Sequence, residues 1–272
     1  MRISALVVVG ALLLVTPPAA PAAQGSTGAG MAEAEHHFYS ARYLDAAAVA
    51  QTLLAARPDD LALLELRTSA LHFQMRRELG DARDKKAAFA RCQACSELLA
   101  TFTADVRRAR AIARARLDAG PADTEALFFL GKIDLNYIWM QLGTLGRRTG
   151  WDEYWEARRS LDALLKAEPE HVRGRVARAW IDYIVNTKVP WGTRWMVGGG
   201  NKTRALAAVR EAAATDTGTY AAVEAEFGLL EMLSREGRHA EAVMIARHLL
   251  VRFPENQDLV RLIDANAPSI DR

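Results

Sequence analysis

A chain of 272 residues, half of them hydrophobic, is long enough to bury one large core or two small ones without metals or staples. Lys and Arg number 35 against 33 Asp and Glu, a formal charge of +2, which argues against nucleic acid as the main partner. The cations are interspersed with acids along helical stretches, the pattern of a solvated face.

At the N-terminus, Arg2 precedes the apolar run Ala5 to Val15 and a small-residue, proline-punctuated exit from Pro17 to Ala23. That run is too short to span a bilayer as a helix, and Ala20-Pro21-Ala22 has the A-x-A spacing of a cleavage site. Residues 1–22 therefore read as a secretory signal peptide cut near Ala22, with an uncleaved anchor as the rival reading. No cysteine stands there to take a lipid. The mature chain is expected in the periplasm or outside the cell, with no stable transmembrane segment. Residues 23–30 read as a flexible leader, followed by one domain over residues 31–268.

Within that domain four segments end alike: LLAARPDD at Pro58, RLDAGPAD at Pro121, LLKAEPEH at Pro169 and LLVRFPEN at Pro254. An alanine stands twelve residues before each proline, at Ala46, Ala109, Ala157 and Ala242. Twelve residues is a little over three helical turns. Each unit thus predicts a helix with a small residue near its start, where a neighbour can approach closely, and a proline just past its end. Asp60, Asp123, His171 and Asn256 then start the next helices, and of these only the histidine lacks an ordinary capping side chain. Leu61, Leu64, Leu71 and Met75 recur at helical intervals, as do Leu127, Leu130, Ile133 and Ile138, or Val243, Ala246 and Leu250. No stretch alternates as a strand would. About twelve helices in six antiparallel hairpins follow.

These marks resemble those of the tetratricopeptide-repeat (TPR) family. In residues 224–256, Phe227-Gly228 occupies the family's first-helix Leu-Gly position, Gly237 the turn, Ala242 the second helix and Pro254 the end. Leu130-Gly131, Tyr154, Ala157 and Pro169 match a second repeat, lengthened by the insertion IWMQLGTLGRRTGW, and residues 34–59 fit a third. The resemblance implies an all-α, TPR-like right-handed α-solenoid of about six helix hairpins. It also implies binding of protein segments, and none of the family's positions is catalytic. Proline spacings of 63, 48 and 85 residues depart from the family's regular 34. The architecture is also similar to that of exported accessory components of some transporters.

Three features are candidates for chemistry. The six tryptophans all fall within residues 139–195, in a Trp-rich central part spanning 125–200. They either hold the long inserted hairpin together or form an aromatic surface; Trp139, Trp151, Trp155, Trp191 and Trp195 are the binding candidates. The stretch WGTRWMVGGGNKTRA has Lys202-Thr203 after Asn201, where a phosphate loop needs glycine, and a helix before it, where that loop needs a strand. It reads instead as a glycine turn, with Asn201 capping a helix of a fifth repeat in which Ala205 takes the alanine position. Arg194 and Lys202 beside that helix start could attract a small anion. Cys92 and Cys95 lack the His of a haem motif and the strand context of a thioredoxin pair, leaving structural thiols or a local disulfide.

Paired His36-His37, Asp134, Asp182 and Asp152-Glu153 offer no catalytic or metal-binding pattern. No catalytic residue, metal or cofactor is assigned. The leading expectation is a non-catalytic exported scaffold that binds an unidentified protein or itself. The alternative is a solute-binding or transport-accessory protein that uses the Trp-rich centre and the basic Gly loop.

Overall fold

The computed structural model describes residues 22–215 and 220–266. The described residues are all-helical, with no strand: α1 (Ala22–Tyr39), α2 (Tyr43–Ala56), α3 (Leu61–Leu79), α4 (Lys85–Arg91), α5 (Cys95–Ala119), α6 (Thr124–Ile138), α7 (Trp151–Ala167), α8 (Val172–Lys188), α9 (Lys202–Ala213), α10 (Tyr220–Arg235), α11 (His239–Arg252) and α12 (Gln257–Asn266). A π-helical turn, Trp139–Thr144, prolongs α6, and a 3-10 turn, Trp191–Val197, lies between α8 and α9. The signal-peptide reading falls almost wholly outside the described residues. Residues 23–30, expected as a leader, are instead the first part of α1. The end of that stretch is held by packing, since a Cβ on Gly30 would stand 2.9 Å from the Leu53 side chain of α2.

Successive helices pack on one another, and α4 is a short detour between α3 and α5. A second set of contacts joins α1 to α3, α3 to α6, α6 to α8 and α8 to α10, so these helices form an inner layer with α2, α5, α7 and α9 behind it. The spacing of small residues explains the layering. Ala46, Ala109, Ala157 and Ala242 are all buried where helices meet. At the closest approach, a Cβ on Gly131 of α6 would lie 2.7 Å from Leu161 Cγ and 3.4 Å from the Ala157 carbonyl oxygen. Pro58, Pro121, Pro169 and Pro254 fall in the turns after α2, α5, α7 and α11, where no helical N–H is lost. Leu63, Leu64, Phe102, Ile133, Leu161 and Leu164 are among the fully buried side chains of the main core, and each such burial contributes roughly 1.5–3 kcal/mol.

Each polar residue after a proline caps the next helix. Asp60 accepts from Leu63 N, Asp123 from Ala126 N and Asn256 from Asp258 N and Leu259 N. His171 is a correction to the sequence reading: its Nδ1 accepts from Gly174 N at 2.9 Å and supplies the cap that an Asp or Asn gives elsewhere. Burial lowers the pKa of this ring, which keeps the accepting nitrogen unprotonated.

The two ends of the array meet. Tyr39, at the end of α1, stacks on Tyr220 and Phe227 of α10 and packs against Phe253 after α11. Asn256 Nδ2 donates to the Tyr39 carbonyl at 2.7 Å, and Tyr43 Oη donates to Asp258 at 3.2 Å. Arg77 and Arg42 pair with Asp258 and Glu255. The first hairpin is thereby tied to the last, and the inner layer surrounds a cavity.

Candidate functional site

The cavity has a volume of about 660 Å³ and is lined from α1, α3, α6, α8, α10 and α12. Its inner wall is ionic. Lys132 Nζ lies 2.5 Å from Glu224 Oε1 and 3.7 Å from Glu65 Oε1, while Arg173 bridges Glu65 Oε2, at 2.8 Å, and Glu224 Oε2. Burial penalises the charges of Lys132 and Glu224, yet Glu224 and Glu65 raise the Lys132 pKa, and Arg173 and Lys132 hold Glu224 below the usual carboxylate range. Ser69 Oγ donates to Glu65, and Asn136 Nδ2 donates in turn to Ser69 and Thr68.

Glu35 of α1 completes this wall without a hydrogen bond or ion pair of its own among the described residues. Burial pushes its pKa from 4.5 up to about 7; Arg173 opposes the shift, and the like charges of Glu65 and Glu224 add to it. Three carboxyls thus share two cations, and the odd one keeps its proton near neutrality. Farther along, His72 Nε2 lies 3.0 Å from Thr144 Oγ1, and burial takes its pKa down to about 3, so the ring is neutral.

The middle of the cavity is aromatic. Trp139 and Trp180 meet edge to face with centroids 5.6 Å apart, and Phe38 and Phe73 do so at 5.4 Å. The outer end carries four guanidiniums for two paired carboxylates. Arg76 and Arg235 both reach Glu231 Oε1, at 3.2 and 2.7 Å, and Arg77 and Arg261 both reach Asp258. Although burial raises both acids, Arg76 and Arg235 hold Glu231 below its ordinary pKa, and Arg261 and Arg77 do the same for Asp258. Arg235 also lies 5.8 and 5.9 Å from the Trp139 and Trp180 ring centroids. Asp81 adds one more acid at the edge of the cavity.

Of the residues singled out from the sequence, Trp139 lines this cavity. Trp155 lies outside it, beside Arg114, Glu156 and Arg159. Trp151, Trp191 and Trp195 are 59%, 84% and 76% exposed on the outer surface. The basic Gly loop is not open to an anion in the way its sequence suggested: Lys202 pairs with Glu236 at 2.6 Å, and Arg194 Nε donates to the Val189 carbonyl. Asn201 accepts from Arg204 N and starts α9, while Gly198 and Gly199 turn the chain at positive φ. Cys92 and Cys95 are joined as a disulfide across the turn between α4 and α5. Asp134 is buried 3.0 Å from Arg110 Nε, which also pairs with Glu153 and Glu156. Burial raises the Asp134 pKa to about 9, so this cluster too keeps a proton.

Sequence reading missed Glu35, Glu65, Lys132, Arg173 and Glu224. They lie on five different helices, and each stands alone in a helical pattern; an acid or base on the inner face of successive hairpins was the one available signal. Among the described residues no group of His, Cys, Asp and Glu converges as a metal site, and no helix is long and apolar enough to cross a membrane. Compared with family models, curated proteins and solved structures, the chain matches none.

Proposed function

We propose that the chain is a non-catalytic binding protein that holds one small amphiphilic anion in its central cavity, and that its hairpins form a TPR-like right-handed α-solenoid drawn closed around that ligand. The observation that carries this reading is the outer end of the cavity, where four guanidiniums share two paired carboxylates above an aromatic belt. A carboxylate or phosphate head fits among Arg76, Arg77 and Arg235, and an apolar body fits against Trp139, Trp180 and Phe73. A volume of about 660 Å³ lies in the range of small-molecule sites, roughly 300–1,000 Å³. The polar groups of the inner wall are mostly paired with one another and His72 is held neutral, which supports binding in preference to proton-transfer chemistry. With the N-terminal run read as a signal peptide, the ligand is a solute of the periplasm or the exterior.

A protein-binding scaffold, the first expectation from the repeats, is less well supported. A concave face free for a peptide is what that role needs, and here the chain ends meet across it.

Trp139 and Trp180 report directly on the site. Titrating the protein with dodecanoate, dodecanol and dodecylammonium is expected to change their emission with the carboxylate binding about tenfold more tightly than the alcohol, and the ammonium weakest. The paired substitution Arg76→Gln/Arg235→Gln is expected to remove the preference for the carboxylate. Absence of binding by all three compounds would sink the small-molecule reading.

A further inference from the structure

Three long turns lie side by side at one end of the central hairpins: residues 80–94 between α3 and α5, 139–150 between α6 and α7, and 188–201 between α8 and α9. Arg147 stands over the Phe89 ring at 6.0 Å, and a Cβ on Gly146 would meet Lys85 Cγ at 3.8 Å, so the first two turns touch. Tyr154, just after the second turn, donates to the Val197 carbonyl at 2.6 Å, and Arg158 donates to Gly198 O at 2.8 Å, which fastens the third.

This rim differs from the rest of the surface in two ways. First, its cations are not neutralised. The first turn contributes Arg83, Lys85, Lys86 and Arg91, against Asp81 and Asp84. The second contributes Arg147 and Arg148, and the third Lys188 and Arg194, with no acid in either. None of these eight cations has an ion-pair partner among the described residues, and they gather on adjoining turns. Elsewhere many cations are paired, as Arg42, Arg110, Arg116, Arg178 and Lys202 are, and unpaired ones such as Arg107, Arg159 and Arg247 are spread over α5, α7 and α11. Second, five of the eight large exposed apolar side chains among the described residues gather here: Leu142, Trp151, Trp191, Trp195 and Met196. Singly exposed apolar residues need no explanation, but five around one unpaired basic rim do.

The turns at the opposite ends of these helices, 57–60, 120–123 and 168–171, carry five acids and one arginine, but four of the five acids are ion-paired there: Asp59 with Arg108, Asp60 with Arg57, Asp123 with Arg116 and Glu170 with Arg175.

We propose that this rim docks on an anionic lipid surface, with Trp191, Trp195 and Met196 entering the headgroup region and the six exposed cations, Arg83, Lys86, Arg91, Arg147, Arg148 and Lys188, facing lipid phosphates. Tryptophan suits that depth because its ring is apolar while its N–H remains hydrogen-bonded. Clustered Lys and Arg supply attraction to anionic headgroups. The two most exposed rings stand on a turn held by Tyr154 and Arg158, so they project from a fixed support. A deformable surface accommodates side chains 84% and 76% exposed without a pre-formed pocket. Gly80 and Asp81 belong both to this rim and to the edge of the cavity, so docking brings the cavity close to the lipid.

The test uses the full chain and sedimentation with vesicles. Vesicles of equal parts phosphatidylglycerol and phosphatidylcholine are expected to bind it at least about tenfold more tightly than phosphatidylcholine alone, with the difference shrinking as salt is raised. Trp191→Ala/Trp195→Ala, which removes two outward rings, and Arg147→Gln/Arg148→Gln/Lys188→Gln are each expected to cost about tenfold on the mixed vesicles while leaving circular dichroism unchanged. Equal binding to both vesicle types, or unchanged binding by both variants, would overturn the proposal. So would retention on polyglutamate without retention on vesicles, which would assign the rim to an acidic protein.

Discussion

Glu35 sits where one proton decides the charge of the inner wall. Arg173 from α8, Lys132 from α6, Glu65 from α3 and Glu224 from α10 face it, and their charges cancel before Glu35 is counted. Its pKa in the folded chain is raised from 4.5 to about 7. Between those values the folded chain holds a proton that the unfolded chain has released, so this group's contribution to stability falls as the pH rises through the interval. Above pH 7 the wall carries a net negative charge. A bound anion is therefore expected to weaken as the pH goes from 6 to 8, and Glu35→Gln should flatten both trends. Ligand titrations and thermal unfolding across that range check this. An affinity for dodecanoate that rises with pH in the parent chain would contradict the assignment.

Elements were legible wherever a local rule operates. Ala46, Ala109, Ala157 and Ala242 are buried because a helix passes close to each, and that need recurs at a fixed distance from a proline. Asn201 was readable as a cap by the same logic. The three glycines before it have separate causes, and sequence could point only to the turn. Gly198 and Gly199 have φ of +79° and +70°. Gly200 instead lies against α8, where a Cβ would meet the Asp182 carbonyl oxygen at 2.5 Å and Asn186 N at 3.0 Å. Backbone atoms cannot swing aside as a side-chain end can. Gly200→Ala is expected to destabilise the chain by roughly 1–3 kcal/mol, whereas Gly192→Ala, with nothing within 4 Å, should fall within about 0.5 kcal/mol of the parent. Urea denaturation of the two variants compares them directly. His171 marks the limit of residue-type rules: an imidazole nitrogen can accept a cap hydrogen bond as a carboxylate does, provided its surroundings keep it neutral.

The whole molecule is governed by closure. A linear array of hairpins unfolds from its ends, because terminal units contact one neighbour each. Here Phe253 packs against Tyr39 and Phe227, and α12 pairs with α2 and α3 through Asp258. The first and last hairpins are therefore expected to resist hydrogen exchange about as well as α6. Phe253→Ala should cost about 3–5 kcal/mol and speed exchange in α1 and α2 more than in α5. Equal acceleration everywhere would show that the ends are not coupled through this cluster.

The amino-acid sequence by itself determined the helical class, the caps at Asp60, Asp123, Asn201 and Asn256, the proline turns, and which alanines face a neighbouring helix. Each of these depends on residues within about three helical turns of one another. The tertiary structure alone decided that Tyr39 meets Phe253, that Glu35, Glu65, Lys132, Arg173 and Glu224 share one wall, and that Trp139 turns inward while Trp191 and Trp195 point out. These contacts join helices far apart in the chain, and how the hairpins pack on one another, which no local stretch of sequence contains, sets where the ends meet and which faces enclose the cavity.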